Sequence, residues 1–176
     1  MKYKVVRLSS LLSKYGEEAI SDKLATFQPA FEALNDSFLT EKSIVMDKKS
    51  ECRTYIAYDA DTFAILGFFS LGFRCLEIPD DCGLSNTMLK KLNRSDDGVA
   101  QAYLLGQLSR AKGCKGFGKV LIDEALSRIK EVQEIVGCRV VRLDCADELV
   151  GYYREYGFHF VRKNIDKDLN QMIMLL

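Results

Sequence analysis

The stretch Gln107-Leu-Ser-Arg-Ala-Lys-Gly-Cys-Lys-Gly-Phe-Gly-Lys-Val-Leu-Ile-Asp-Glu-Ala-Leu126 decides how the chain is read. Ala102, Tyr103, Leu104 and Leu105 precede it and are apolar enough for a buried strand. Val120, Leu121, Ala125, Leu126 and Ile129 follow at the spacing of one helix face. Between strand and helix lie Gly113, Gly116 and Gly118. Glycine lets a backbone approach a ligand closely and turn its N–H groups toward it. The helix that opens there adds the positive end of its dipole, which suits a phosphate. Arg110, Lys112, Lys115 and Lys119 place four cations in ten residues with no acid among them. A diphosphate is the natural counterpart.

Two common phosphate motifs do not fit. A nucleotide P-loop ends in Gly-Lys-Ser/Thr, whereas Gly118-Lys119 is followed by Val120, which has no hydroxyl for magnesium. A dinucleotide turn begins as Gly116-Phe117-Gly118 does, but Leu121 takes the place of its third glycine. Gly113-Cys114-Lys115-Gly116-Phe117-Gly118 resembles the acyl-CoA turn of the GCN5-related N-acetyltransferases, Gln/Arg-x-x-Gly-x-Gly/Ala, with Gly113 at the first position. Tyr152-Tyr153-Arg154-Glu155-Tyr156-Gly157-Phe158 resembles that family's late Phe-Tyr-x-x-x-Gly-Phe signature, with Tyr152 in place of Phe. The resemblance runs from about the second strand to the C-terminus.

Taken by itself, 176 residues suit one domain with a sizeable core, residues 1–176. Hydrophobic residues make up 48% and only two residues are proline, which argues for an ordered chain. Formal net charge is zero, which disfavours a dedicated nucleic-acid binder, although residues 89–162 are modestly cationic. No apolar run reaches the length of a membrane span, so no membrane association is expected, and the first residues do not lead into a signal peptide. Six cysteines form no Cys-x-x-Cys pair and His159 is the sole histidine, so no metal site is expected. Free thiols point to a reducing cytoplasm.

Strands are expected at Tyr3–Leu8, Thr54–Tyr58, Phe63–Phe73, at the run entering the turn, at Arg139–Cys145, and as a final hairpin of Phe158–Arg162 with Gln171–Leu176. Gly67 marks a bulge. Phe27, Phe31, Leu34 and Phe38 recur at helical spacing, with Pro29 tolerated in a first turn. Asp36 or Ser37 would cap a further helix toward Lys49. Residues 76–99 are turn-rich, with a helical turn at Met88–Leu92. The long helix should end near Gly137, and a short helix, Glu148–Tyr156, at Gly157.

The resemblance implies an α/β (α+β) fold. A mixed, mostly antiparallel sheet is flanked by helices, with splayed parallel fourth and fifth strands. It implies acetyl-CoA as co-substrate, with the backbone of Gln107, Leu108 and Ser109 pairing with the pantetheine amides. The turn Arg110, Gly113, Cys114, Lys115, Gly116, Phe117, Gly118 and Lys119 would hold the diphosphate. It assigns Tyr153 as general acid, a phenol that stays protonated at neutral pH; the bland alternative is a core aromatic, as for Tyr152 and Tyr156. The base is not evident. Gln107 cannot accept a proton, leaving a water chain, an acid in residues 76–99, or Asp144, which also reads as a solvated carboxylate. Cys114 reads as filler, since no histidine accompanies it.

The leading function is N-acetylation of a primary amine by a monomer or homodimer. An alternative narrows the acceptor to aminoacyl-tRNA. Leu34-Asn35-Asp36-Ser37-Phe38-Leu39 resembles the Leu-Asn/Asp-x-x-Leu helix of acetyltransferases that act as bacterial toxins on charged tRNA, while zero net charge weighs against so many phosphate contacts. A third reading is a CoA-binding module without catalysis.

Overall fold

The computed structural model describes residues 2–31, 37–164 and 168–176. The chain divides into two compact units, Met1–Gly72 with Gly106–Arg128, and Phe73–Leu105 with Ile129–Leu176.

In the first unit, β1 (Tyr3–Arg7) pairs antiparallel with β2 (Arg53–Asp59). Between them come α1 (Leu8–Tyr15) and α2 (Glu17–Ala25). Gly16 separates the two helices at φ +83°, a value glycine adopts without a Cβ penalty. Leu8, Ile20 and Leu24 point inward and are buried with Ile56 and Phe68. A π-helical turn, Phe38–Lys42, runs into α3, Ser43–Lys48.

The helix expected through Phe27 and Phe31 is not formed. Phe27 packs edge-on against Phe68, and Pro29 makes an isolated bridge with Ala111. A proline fits such an edge because it has no N–H to leave unpaired. Leu34, Asn35 and Asp36 lie outside the described residues, as does the hairpin connection at 165–167. The helical signal that counted was earlier: Leu8, Leu11, Leu12 and Tyr15, then Ile20 and Leu24.

β2 continues antiparallel into β3 (Ile65–Glu77), which passes from the first unit into the second. The register shifts between Ala57, opposite Gly67, and Tyr58, opposite Ile65, which is the bulge expected here. Gly67 is required for a further reason. A Cβ there would lie 2.7 Å from the Ser109 carbonyl oxygen and 2.7 Å from Leu121 Cδ1. Gly67→Ala should therefore push the end of the next strand away and cost about 1–3 kcal/mol, the usual range for overpacking. Urea unfolding measures it; unchanged stability would mean the backbone at Ser109 yields freely.

In the second unit, α4 (Asn86–Lys91) is capped by Ser85, whose Oγ accepts from the Met88 N–H at 3.3 Å. β4 (Val99–Arg110) crosses into the first unit and leads to α5 (Phe117–Val136). Gly137, at φ +74°, ends α5, and the Tyr103 hydroxyl donates to its carbonyl. β5 (Val140–Cys145) pairs in parallel with β4 at Tyr103↔Val141 and Leu104↔Arg142. β4 runs six residues beyond Leu104. A 3-10 turn, Asp147–Leu149, leads into α6 (Val150–Glu155). Then come β6 (His159–Asn164) and β7 (Leu169–Leu175), with β7 antiparallel to both β5 and β6. The strand order is β1-β2-β3-β4-β5-β7-β6. The core of this unit includes Leu76, Ile78, Ala102, Val140, Val161 and Ile173. No helix among the described residues is long and apolar enough to cross a membrane.

Candidate active site

The cationic turn is built by β4, α5 and a strap from upstream. Along the end of β4 the backbone alternates its hydrogen-bonding direction. The Gln107 N–H donates to Ser70 Oγ at 2.8 Å and the Ala111 N–H to the Leu66 carbonyl at 2.8 Å, both toward β3. The Arg110 carbonyl faces elsewhere and accepts from the Ala30 N–H at 2.9 Å, and the Lys112 N–H donates to the Gln28 carbonyl at 2.8 Å. Residues 28–30 are thus strapped to the turn. The Gln107 N–H is thus already paired with Ser70. Ser109 is 6% exposed, with its carbonyl turned to Gly67.

The turn proper is set by two left-handed glycines, Gly113 at φ +87° and Gly116 at φ +82°. A side chain in that conformation costs about 1–2 kcal/mol. Space is open at both: a Cβ would meet nothing within 4 Å. The Cys114 N–H donates to the Ala111 carbonyl (3.1 Å) and the Phe117 N–H to the Cys114 carbonyl (3.2 Å), which closes the turn onto α5. Phe117 is buried edge-on against Tyr3, at 5.5 Å between centroids. α5 is held further by Arg128, which pairs with Glu124 at 2.5 Å and lies 5.0 Å over the Tyr55 ring. Phe117 and Arg128 thus anchor α5 on the β1–β2 face at two points along its length.

Lys112, Lys115 and Lys119 are exposed, and Arg110 is half-buried with its guanidinium 5.4 Å from the Phe31 ring. None of the four pairs with an acid among the described residues. Open left-handed glycines, a helix N-terminus and unneutralised cations suit a diphosphate. Leu108 and Gly118 lie within the same segment. Cys114 is half-buried inside the turn.

Tyr153 sits on α6 in the second unit and is 8% exposed. Its ring meets Tyr152 (5.4 Å) and Phe158 (5.8 Å) edge to face. The Gly157 turn, at φ +86°, folds the Phe158 N–H back onto the Tyr153 carbonyl at 3.2 Å. Burial, with the Cys145 thiol nearby, pushes the phenol up to about 12. Burial likewise pushes Cys145 up to about 11. Both groups hold their protons throughout the physiological range.

Among the base candidates, Asp144 is occupied. Arg142 Nε lies 3.2 Å from Oδ1 and Arg142 Nη2 2.9 Å from Oδ2, a bidentate pair anchored by Nη1 on the Cys75 carbonyl at 3.1 Å. A carboxylate gripped through both oxygens is a poor place to deliver a proton. In the 76–99 segment, Asp80 pairs with Arg94 at 3.4 Å, and Asp96 and Asp97 remain in the same cleft. Sequence reading passed over the Arg142–Asp144 pair, although two residues apart on one strand share a face.

No protein-family model matches the chain. The toxin AtaT complexed with acetyl-methionyl-tRNAfMet superposes with a TM-score of 0.75 over 99% of this chain and 95% of that one, at 18% identity. The chain has the fold of the GCN5-related N-acetyltransferases. A tyrosine-to-phenylalanine mutant of AtaT, bound to the C-terminus of the antitoxin AtaR and acetyl-CoA, shares this N-acetyltransferase fold with a TM-score of 0.67 over 98% of this chain and 94% of its own, at 17% identity. In sequence, the chain is 26% identical over 136 residues to the probable toxin TacT of Sinorhizobium fredii, covering 70% of this chain and 71% of the relative. The N-acetyltransferase fold expected from the two motifs is the fold observed, including the mixed sheet and the parallel β4–β5 pair.

Proposed function

We propose that residues 1–176 form one acetyl-CoA-dependent N-acetyltransferase domain whose acceptor is the amino group of an aminoacyl-tRNA. The observation that carries the transferase reading is the turn itself: Gly113 and Gly116 left-handed and open, four cations with no acid paired to them among the described residues, and the first turn of α5. The acceptor is favoured by likeness to a tRNA-bound toxin and to TacT. Those likenesses outweigh the zero net charge, which describes the whole chain and not the cationic turn. A cognate antitoxin is the partner class that goes with this reading.

Acetyl-CoA supplies an activated thioester. The chain's residues do the rest. The turn holds the diphosphate by charge and backbone N–H groups. Tyr153 presents a protonated phenol to the sulfur as the C–S bond breaks. At about 12 the phenol is a weak acid in isolation. The burial that raises it also raises a thiolate beside it, so the hydrogen bond strengthens as charge develops on sulfur. β4 carries no carboxylate and Asp144 is held by Arg142, which leaves water, Asp96 and Asp97 as the acceptors for the amine's proton.

The test is transfer from radiolabelled acetyl-CoA to charged tRNA, deacylated tRNA, free amino acids and peptides. Label on charged tRNA alone is expected. Transfer only to small amines would overturn the acceptor. CoA binding without any transfer would favour the non-catalytic module.

The lysines make a separate prediction. The double substitution Lys115→Ala with Lys119→Ala should weaken intact CoA about tenfold, ~1.4 kcal/mol, and leave a phosphate-free pantetheine analogue unaffected. Calorimetry reads both. Equal weakening of the two ligands would mean that the lysines act through stability.

A further inference from the structure

A second site lies in the first unit, in an apolar groove of about 330 Å³ between α1, α2 and the start of the sheet. Its floor includes Leu24, Ile56 and Ile65. Its walls are aromatic: Tyr15, half exposed, and Phe63, 58% exposed and stacked on Tyr58 at 5.8 Å.

Phe63 is held in an unusual way. Its φ is +59°, a left-handed conformation that is a genuine outlier for a bulky residue. The turn before it is tightly built. Asp59 Oδ1 accepts from the Asp61 N–H (3.0 Å), the Thr62 N–H (2.8 Å) and the Thr62 hydroxyl (3.0 Å). The Phe63 N–H donates to the Asp59 carbonyl at 2.9 Å. These bonds hold a strained backbone that displays a large aromatic ring to solvent. Observed strain of this kind clusters at functional positions.

Three lysines stand around the groove; the acids nearest Phe63 are Asp59 and Asp61 of its own turn, and Asp59 Oδ1 is taken up by the three hydrogen bonds above. Lys23 lines the groove, and the Lys14 ammonium sits 4.9 Å over the Tyr15 ring. Lys4 is the cross-strand partner of Tyr58 and therefore projects from the same sheet face. The acids of α2 lie elsewhere. Glu17 pairs with Lys48, while Glu18 and Asp22 fall on the side of the helix away from Ile20 and Leu24.

We infer that this groove docks an acidic peptide segment of a partner protein, which seats one large apolar side chain on the Phe63–Tyr58 stack between lysines. Charge complementarity selects this occupant. A second copy docking through the same face would bring the lysines of both copies together. A nucleobase would bury its polar edges against an aliphatic floor without partners. The inference is independent of the acetyl-transfer reading, because none of these residues belongs to the turn or to Tyr153.

The experiment uses the whole chain and a fluorescein-labelled dodecapeptide of aspartate and glutamate with a central leucine–phenylalanine pair, read by fluorescence anisotropy. Saturable binding is expected, weakened at least tenfold when the central pair is alanine–alanine. Phe63→Gly should weaken it as much while leaving the melting temperature the same or higher, because glycine relieves the left-handed strain. The pair Lys14→Glu and Lys23→Glu should abolish binding. Acetyl transfer should be unchanged in all variants, which separates failure here from failure of the proposed reaction. Three outcomes would overturn the inference: equal binding of the alanine–alanine peptide, peptide binding indifferent to Phe63→Gly, or self-association of the chain that Phe63→Gly removes. Tighter binding of oligothymidylate, displacing the peptide, would reassign the groove to nucleic acid.

Discussion

Tyr153→Phe should lower turnover by about 10²–10⁴-fold, the range for a positioned general acid, while acetyl-CoA affinity changes by no more than a few-fold. The substitution keeps the ring, so the edge contacts with Tyr152 and Phe158 survive. An interaction made only in the transition state leaves ground-state binding alone. Tyr152→Phe is the control: it restores the residue usual in the motif and should leave turnover nearly unchanged. Full turnover in Tyr153→Phe on charged tRNA would remove the assignment. A parallel loss of affinity and turnover would make Tyr153 a structural tyrosine. The raised phenol adds a pH signature. Its folded value of about 12 lies above the ordinary value of 10. The resulting stability is complete below pH 10 and is lost as pH rises from 10 through 12, on the order of a few kcal/mol at most. Tyr153→Phe should lack that alkaline loss in denaturant unfolding followed against pH.

Gly118→Val should reduce CoA affinity about a hundredfold, ~2.7 kcal/mol. Gly118 lies in the first turn of α5 and is not among the left-handed glycines, so valine is conformationally tolerated there. Valine is no worse a helix residue than glycine. The loss would then report on the diphosphate meeting a branched side chain, whereas Gly116→Val would mix that effect with backbone strain. A folded Gly118→Val protein with normal CoA affinity by calorimetry would displace the site from the turn.

The turn and its flanking elements were legible because each rests on local chemistry. Glycines at 113, 116, 137 and 157 all adopt positive φ, and the helix between two of them has clean apolar periodicity. What escaped was set at long range. The spacing of Phe27, Phe31 and Phe38 matched a helix, but Pro29 bridges Ala111 and Phe27 packs on Phe68, a choice made by residues distant in sequence. The insertion of β7 between β5 and β6 is a pairing decision that no single strand encodes. At the candidate site, the commitment of the Gln107 N–H to a serine hydroxyl on β3 needed the register of two strands. Asp144 looked solvated until Arg142 was seen to grip it.

The strap of residues 28–30 has a consequence for how occupancy of the turn is seen in solution. Ala30 and Lys112 each lend an amide proton to the other segment's carbonyls. Their exchange with solvent deuterium requires the two segments to part. Anything that steadies the turn will slow exchange at Ala30 as well, although Ala30 belongs to the strap and not to the turn. One amide far upstream thereby becomes a gauge of events at the glycines.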